Sequence, residues 1–257
     1  MSVRTSSSPS RFPLLTLLNP GELTPVLVVA LLLGILVGVL QMAWMGWPLW
    51  AASATALGVV LAPATLKWRA DRRRYGVLVM VLSVLVAAQT FHGLEHLAQW
   101  IQYHILDWPG SRSSGLISAA NAEWVHFVWN WSVVLVVIYL VRGGMRNGWA
   151  WLLLAWSVAH ALEHTYMMVR YLQVNWELEK LGFQTVSAQG LPGIFGRDGW
   201  LARSALTQGV WYCQVPGLTT APRLDIHFWW NVGETALLLI AAHTFLRGWF
   251  NRPAANS

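Results

Sequence analysis

Charge is what this sequence has least of. Only 11% of its 257 residues are Asp, Glu, Lys or Arg, against about a quarter in soluble domains, which excludes an ordinary water-facing surface. Cysteine is reduced to Cys213, so no internal disulfide forms. The formal net charge of +6 does not mark a nucleic-acid partner. The basic residues sit in short stretches between apolar segments, the pattern of membrane-topology signals.

What is abundant is apolar. Hydrophobic residues make up 56% of the chain and there are 18 tryptophans, most near segment ends, where an aromatic belt places them. A bilayer core needs about 20 apolar residues per helix. Six stretches qualify, at 25–46, 49–66, 76–103, 121–141, 149–173 and 226–246. The first is too long for the apolar region of a signal peptide. The second is the weakest, interrupted by Gly58, Pro63 and Thr65. Residues 1–24, rich in Ser and Pro near their start, read as a disordered cytoplasmic stretch.

Lysine and arginine set the orientation. Arg4, Arg11, Lys67, Arg69, Arg72, Arg73, Arg74, Arg142, Arg146, Arg247 and Arg252 fall on one face when the N-terminus is inside. The positive-inside rule then puts both termini in the cytoplasm of a cell (inner or plasma) membrane. The run from Lys67 to Arg74 is the main topology signal and also meets anionic lipid. The connections at 104–120 and 174–225 face outside. The second is long enough to be functional, and its turn pairs Pro192-Gly193 and Pro216-Gly217 predict a folded cap.

The chain repeats itself. His92-Gly-Leu94-Glu95-His96 recurs as His160-Ala-Leu162-Glu163-His164, and Tyr103 then matches Tyr171, all at an offset of 68. His126-Phe127-Val-Trp129-Asn130 recurs as His227-Phe228-Trp-Trp230-Asn231, at an offset of 101. Both copies run in the same direction, so a pseudo-two-fold axis along the membrane normal relates helices three and four to five and six, as in other repeat-built membrane folds. Glu234 matches Val133, and Glu123 matches Leu224, so the copies differ in their carboxylates. The expected architecture is an all-α polytopic membrane protein with six transmembrane helices. Two are peripheral (25–66), and four form a duplicated core (67–257) capped by 174–225.

Helical spacing puts His92, Glu95 and His96 on one face, continued by Gln89, Gln99 and Tyr103, and does the same for His160, Glu163 and His164. His126 shares a face with Glu123 and Asn130, and His227 with Asn231 and Glu234. At 1.5 Å per residue all four motifs fall in the outer half of the bilayer, while His243 and His104 lie outside this layer. An ionisable group at mid-span costs ~2.5–3.5 kcal/mol on insertion scales, so Glu95, Glu163 and Glu234 must face the bundle interior and find partners.

Any one of these residues alone is better read as a hydrogen-bonded packing residue. Six histidines with carboxylates at one depth, duplicated, exceed what packing needs. The set predicts a transition-metal centre of two ions. Its ligands are His92, His96, His126, His160, His164 and His227, with Glu95 and Glu163 bridging or supporting, in the manner of bundle dimetal sites. Asn130 and Asn231 orient ligands. Glu234 breaks the symmetry and is the residue expected to handle protons, with Glu95 and Glu163 as further catalytic candidates. Iron, zinc and copper stay open: imidazole suits all three, and the carboxylates favour the harder ions.

An oxidoreductase or hydroxylase acting on an apolar or lipid substrate, with a redox partner unspecified, follows from that centre. His92/His96 and His160/His164 satisfy the HxxxH spacing of membrane diiron hydroxylases and desaturases, but HxxHH is missing and the predicted side is the outer one, so no membership follows. One alternative is an intramembrane zinc hydrolase, in which His-x-x-Glu-His supplies two ligands and a base, although a hydrolase needs a single copy. Another is non-enzymatic binding, transport or sensing of a metal or haem. Haem ranks behind a small ion because no helix spaces two histidines 13–14 apart. Cys213 reads as a thiol of the outer cap, and Trp129, Trp131, Trp229 and Trp230 as packing around the site.

Overall fold

A computed structural model describes residues 12–117, 122–183, 191–207 and 209–250. Among these the chain is 77% helical and has no strand. The helices are α1 (Pro13–Leu18), α2 (Thr24–Met45), α3 (Leu49–Tyr75), α4 (Val77–His104), α5 (Glu123–Arg142), α6 (Gly148–Lys180), α7 (Trp200–Arg203) and α8 (Arg223–Phe250). Four segments are long and apolar enough to cross a membrane: Gly21–Met45, Leu49–Tyr75, Val77–His104 and Glu123–Arg142. Helices α6 and α8 have the length, at 33 and 28 residues, but His160, Glu163, His164, His227, Asn231 and Glu234 break their apolar runs.

Two boundaries differ from the sequence reading. The basic run Lys67–Arg74 is not a loop but the last two turns of α3, and the only break before α4 is Gly76, at φ 88°. Arg72, Arg73 and Arg74 lie in the final turn, where cations meet the negative end of the helix dipole. Lys67 and Asp71 pair at i, i+4 and are buried. The Lys67 ammonium also donates to Ser83 Oγ and to the Leu17 carbonyl, closing an orphan acceptor at the end of α1. Helix α3 also runs unbroken through Pro63. The stretch read as disordered over 1–24 contains α1, whose Leu17 is 1% exposed within the core; residues 1–11 lie outside the described residues. Gly21–Leu23 forms a 3-10 turn leading into α2.

Helix α2 lies against α3 through small residues. A Cβ on Gly34 or Gly38 would press on the backbone of Ala56 or Ala52. These pairs at i, i+4 make a small-xxx-small interface that lets two backbones approach. The opposite face of α2 leaves Leu32 and Leu36 exposed, at 61% and 53%, as a lipid-facing helix does.

Helices α4, α5, α6 and α8 form the bundle, and its interior divides by depth. Val79, Leu82, Val137, Leu140, Met145, Leu153, Leu238, Ala242 and Leu246 are all buried together. They come from the first half of α4 and α6, the second half of α5 and α8 and, for Met145, the α5–α6 connection, so one end of the bundle is a dry apolar plug. The other half of each helix carries the histidines. Asn147 joins α6 to α8, accepting from Ala150 N at the start of α6 and donating to the Ala241 carbonyl.

Candidate metal centre

Helical register alone brings the imidazoles together. His92 and His96 face inward from late α4, His126 from early α5, His160 and His164 from mid α6, and His227 from early α8. The structure gathers them into two triads, His92/His96/His126 and His160/His164/His227. Within each triad one ligand atom per residue lies within 4.8 Å of the others. The triads also touch each other. The rings of His96 and His227 stack at 5.5 Å, those of His126 and His164 at 5.1 Å, and His126 sits 5.6 Å from His227.

The contacts recur pairwise. Asn130 Nδ2 donates to the His126 carbonyl at 2.9 Å, and Asn231 Nδ2 to the His227 carbonyl at 3.0 Å. Trp129 lies 5.3 Å from His92, and Trp230 5.3 Å from His160. In both asparagines Oδ1 is buried with no hydrogen-bond partner.

Several imidazole nitrogens are likewise buried and unpartnered: Nε2 of His92, His96 and His160. Such groups are rare in native proteins, and a bound ion is one standing explanation. His164 Nε2 and His227 Nε2 face each other at hydrogen-bond distance, 2.9 Å. The opposite ring nitrogens are anchored. His96 Nδ1 meets Gln99 Oε1 at 3.0 Å, His160 Nδ1 meets Glu234 Oε2 at 3.2 Å, and His164 Nδ1 meets Glu123 Oε1 at 2.8 Å. With Nδ1–H donating to oxygen, the Nε2 lone pair is left for the interior. Proteins fix metal-binding histidines in this way.

The carboxylates do not share one role. Glu234 accepts from Ser157 Oγ at 2.5 Å and Gln89 Nε2 at 2.9 Å as well as from His160. Glu123 holds His164 with one oxygen and accepts from Arg223 Nη2 at 3.0 Å with the other. Arg223 was not anticipated from the sequence. It also donates to the Leu191 carbonyl and lines a cavity of about 100 Å³ with Pro192, Phe195, Arg197 and Asp198.

Glu95 and Glu163 turn toward the connections that follow α4 and α6. Glu95 accepts from the amides of Leu116 and Ile117, both at 2.9 Å. Glu163 Oε1 accepts from Ile194 at 3.0 Å and Phe195 at 3.4 Å, and its Oε2 is buried without a partner. A Cβ on Gly115 or Gly193 would collide with the Glu95 or Glu163 carboxylate respectively. The sequence held the signal for this, since Gly115-Leu-Ile and Gly193-Ile-Phe form a third repeated element.

The remaining candidates lie apart. His104 pairs with Asp225 at 2.6 Å across the α4–α8 seam, in a cleft of about 540 Å³ lined also by Tyr103, Asp107 and Trp108. Neither His104 nor His243 belongs to a triad. Cys213 sits in the outer connection, with its thiol directed at the Leu201 carbonyl. No family model, no curated protein and no solved structure matches this chain.

Proposed function

We propose that this protein is an integral membrane metalloprotein with six transmembrane helices, α2, α3, α4, α5, α6 and α8, and a duplicated four-helix core. The core holds two transition-metal ions, one per histidine triad, in the outer half of the bilayer. The observation that carries this reading is the convergence of six imidazoles, of which His92, His96 and His160 have a buried Nε2 without a protein partner and His96, His160 and His164 are anchored through Nδ1. The paired contacts of His126 and His227, of Asn130 and Asn231, and of Trp129 and Trp230 support the duplication. The apolar plug supports a site reached from one side rather than a path across the membrane.

The donor set refines the metal. The two triads consist of imidazole nitrogen alone, which suits copper, zinc, iron and nickel, whereas direct carboxylate ligation would shift the preference to harder ions. A buried pair of copper or iron ions beside Trp129 and Trp230 is equipped to oxidise an apolar substrate that arrives through lipid. Glu234, anchored to His160, is the group placed to exchange a proton with that imidazole. The hydrolase alternative needs Glu95 or Glu163 on a metal-bound water, whereas loop amides engage both oxygens of Glu95 and Oε1 of Glu163.

Elemental analysis of the detergent-purified full chain, with its absorption spectrum, tests the reading. About one metal ion per triad is expected in the native protein, and His96→Ala and His164→Ala each lose bound metal while still inserting into the membrane. A metal-free protein that takes up no ion on reconstitution, or full metal retention in both variants, overturns it. Oxygen uptake on addition of lipid substrate to the loaded protein then tests the oxidoreductase step.

A further inference from the structure

The repeat is broken at two carboxylates, and both breaks serve the same triad. Glu234 of α8 stands where the other copy has Val133, and Glu123 of α5 stands where the other copy has Leu224. They come from different helices, yet each turns to a histidine of α6: Glu234 to His160 and Glu123 to His164. Under the repeat, their counterparts Val133 and Leu224 belong opposite His92 and His96. Neither can accept a hydrogen bond through its side chain. What serves there instead is a neutral amide, Gln99, on His96, and Gln99 itself matches Met167 of the other copy.

This difference has a definite consequence for cations. A carboxylate on Nδ1 raises the basicity of the imidazole and fixes its tautomer; losing such a partner commonly costs 10–100-fold in metal affinity. It also places negative charge near a dication in surroundings where uncompensated charge is costly. Arg223 offsets part of the Glu123 charge, but Glu234 is bonded to neutral donors, Ser157 and Gln89, besides His160. Glu95 and Glu163 occupy matching positions in the two copies and do not distinguish them.

Building on the metal reading above, we propose that the two triads are unequal sites. His160/His164/His227 is a tight site that keeps its ion, and His92/His96/His126 is a weaker site whose ion exchanges. The centre then loads in order, α6–α8 triad first, and the exchangeable triad is the one whose occupancy follows metal supply at the outer face.

Zinc titration of the chelator-stripped full chain in detergent, against a competing chelator, tests this. Zinc has no redox chemistry and little geometric preference, so it reports the donor sets alone. Two steps separated by at least about tenfold are expected, the ratio one such partner commonly supplies. Glu234→Gln brings the tight step toward the weak one and leaves the weak step in place. His96→Ala removes the weak step and keeps the tight one, and His164→Ala does the reverse. This histidine pair decides the assignment even if Glu234→Gln does not fold. Two equal steps in the wild-type chain, or loss of the tight step in His96→Ala alone, overturn the proposal while leaving a dinuclear site intact. No zinc in either step instead overturns the metal reading itself.

Discussion

Gly115 and Gly193 show how single residues shape the histidine-bearing end of the bundle. Each lies against a glutamate carboxylate that accepts hydrogen bonds from the residues just after it. A methyl group at either position forces the carboxylate away from those amides. Gly115 carries the further cost of a left-handed φ of 76°, which glycine adopts freely and alanine does not. Overpacking of this kind costs about 1–3 kcal/mol, so Gly115→Ala and Gly193→Ala should each lower the thermal midpoint of the detergent-solubilised protein, with the 105–122 or 191–222 connection opened to protease. Unchanged melting and cleavage in both would mean that these carboxylates do not anchor the connections. The histidines could be read from the sequence because i, i+3, i+4 spacing fixes a helix face without reference to any other segment. The partners of the glutamates follow no helical period, because Glu95 meets Leu116 and Glu163 meets Ile194 through loop geometry, and their one trace in the sequence is the repeated Gly115-Leu-Ile and Gly193-Ile-Phe. Arg223 and Glu123 meet across 100 residues, and neither position announces the other.

At the level of elements, the two amino-terminal long helices and the bundle rest on different interactions. In lipid there is no hydrophobic drive between helices, so association depends on close backbone approach and on interhelical hydrogen bonds. The α2–α3 pair uses the first, through Gly34 and Gly38 against Ala56 and Ala52. The bundle adds the second, with Trp131 Nε1 donating to Thr165 Oγ1 and Trp156 Nε1 to the Trp230 carbonyl. Gly34→Leu therefore separates α2 from α3 without touching the triads. The expected result is a lower thermal midpoint with metal content equal to wild type; loss of metal would show that the α2–α3 pair supports the site. Apolar length identified α2 to α5 readily. The continuation of α3 through Lys67–Tyr75 was hidden, because a basic run reads as a loop until Asp71, Ser83 and the Leu17 carbonyl are known to receive Lys67. The same polar residues that mark the site on α6 and α8 also dilute the apolar signal that would mark those helices as spans.

For the whole molecule, the two ends of the bundle differ in a way that predicts a topology. The end holding Arg72, Arg73, Arg74, Arg142 and Arg247 also holds the apolar plug and α1, whereas the triads and both long connections lie at the other. By the positive-inside rule the first end is expected in the cytoplasm, which would place the histidines toward the outer face and α1 inside. Cys213 is the sole cysteine, so a Cys213→Ser background gives a clean labelling experiment. Leu206 is 83% exposed in the connection between α6 and α8, and a Cβ on Gly248 meets nothing nearby at the far end of α8. In that background, Leu206→Cys should react with a membrane-impermeant maleimide on intact cells, and Gly248→Cys only after the membrane is permeabilised. The opposite pattern would place the triads at the cytoplasmic face and make the metal supply intracellular. Labelling of both positions on intact cells would mean that α8 does not cross, and the four-helix core would then have to be redrawn around the four apolar spans alone.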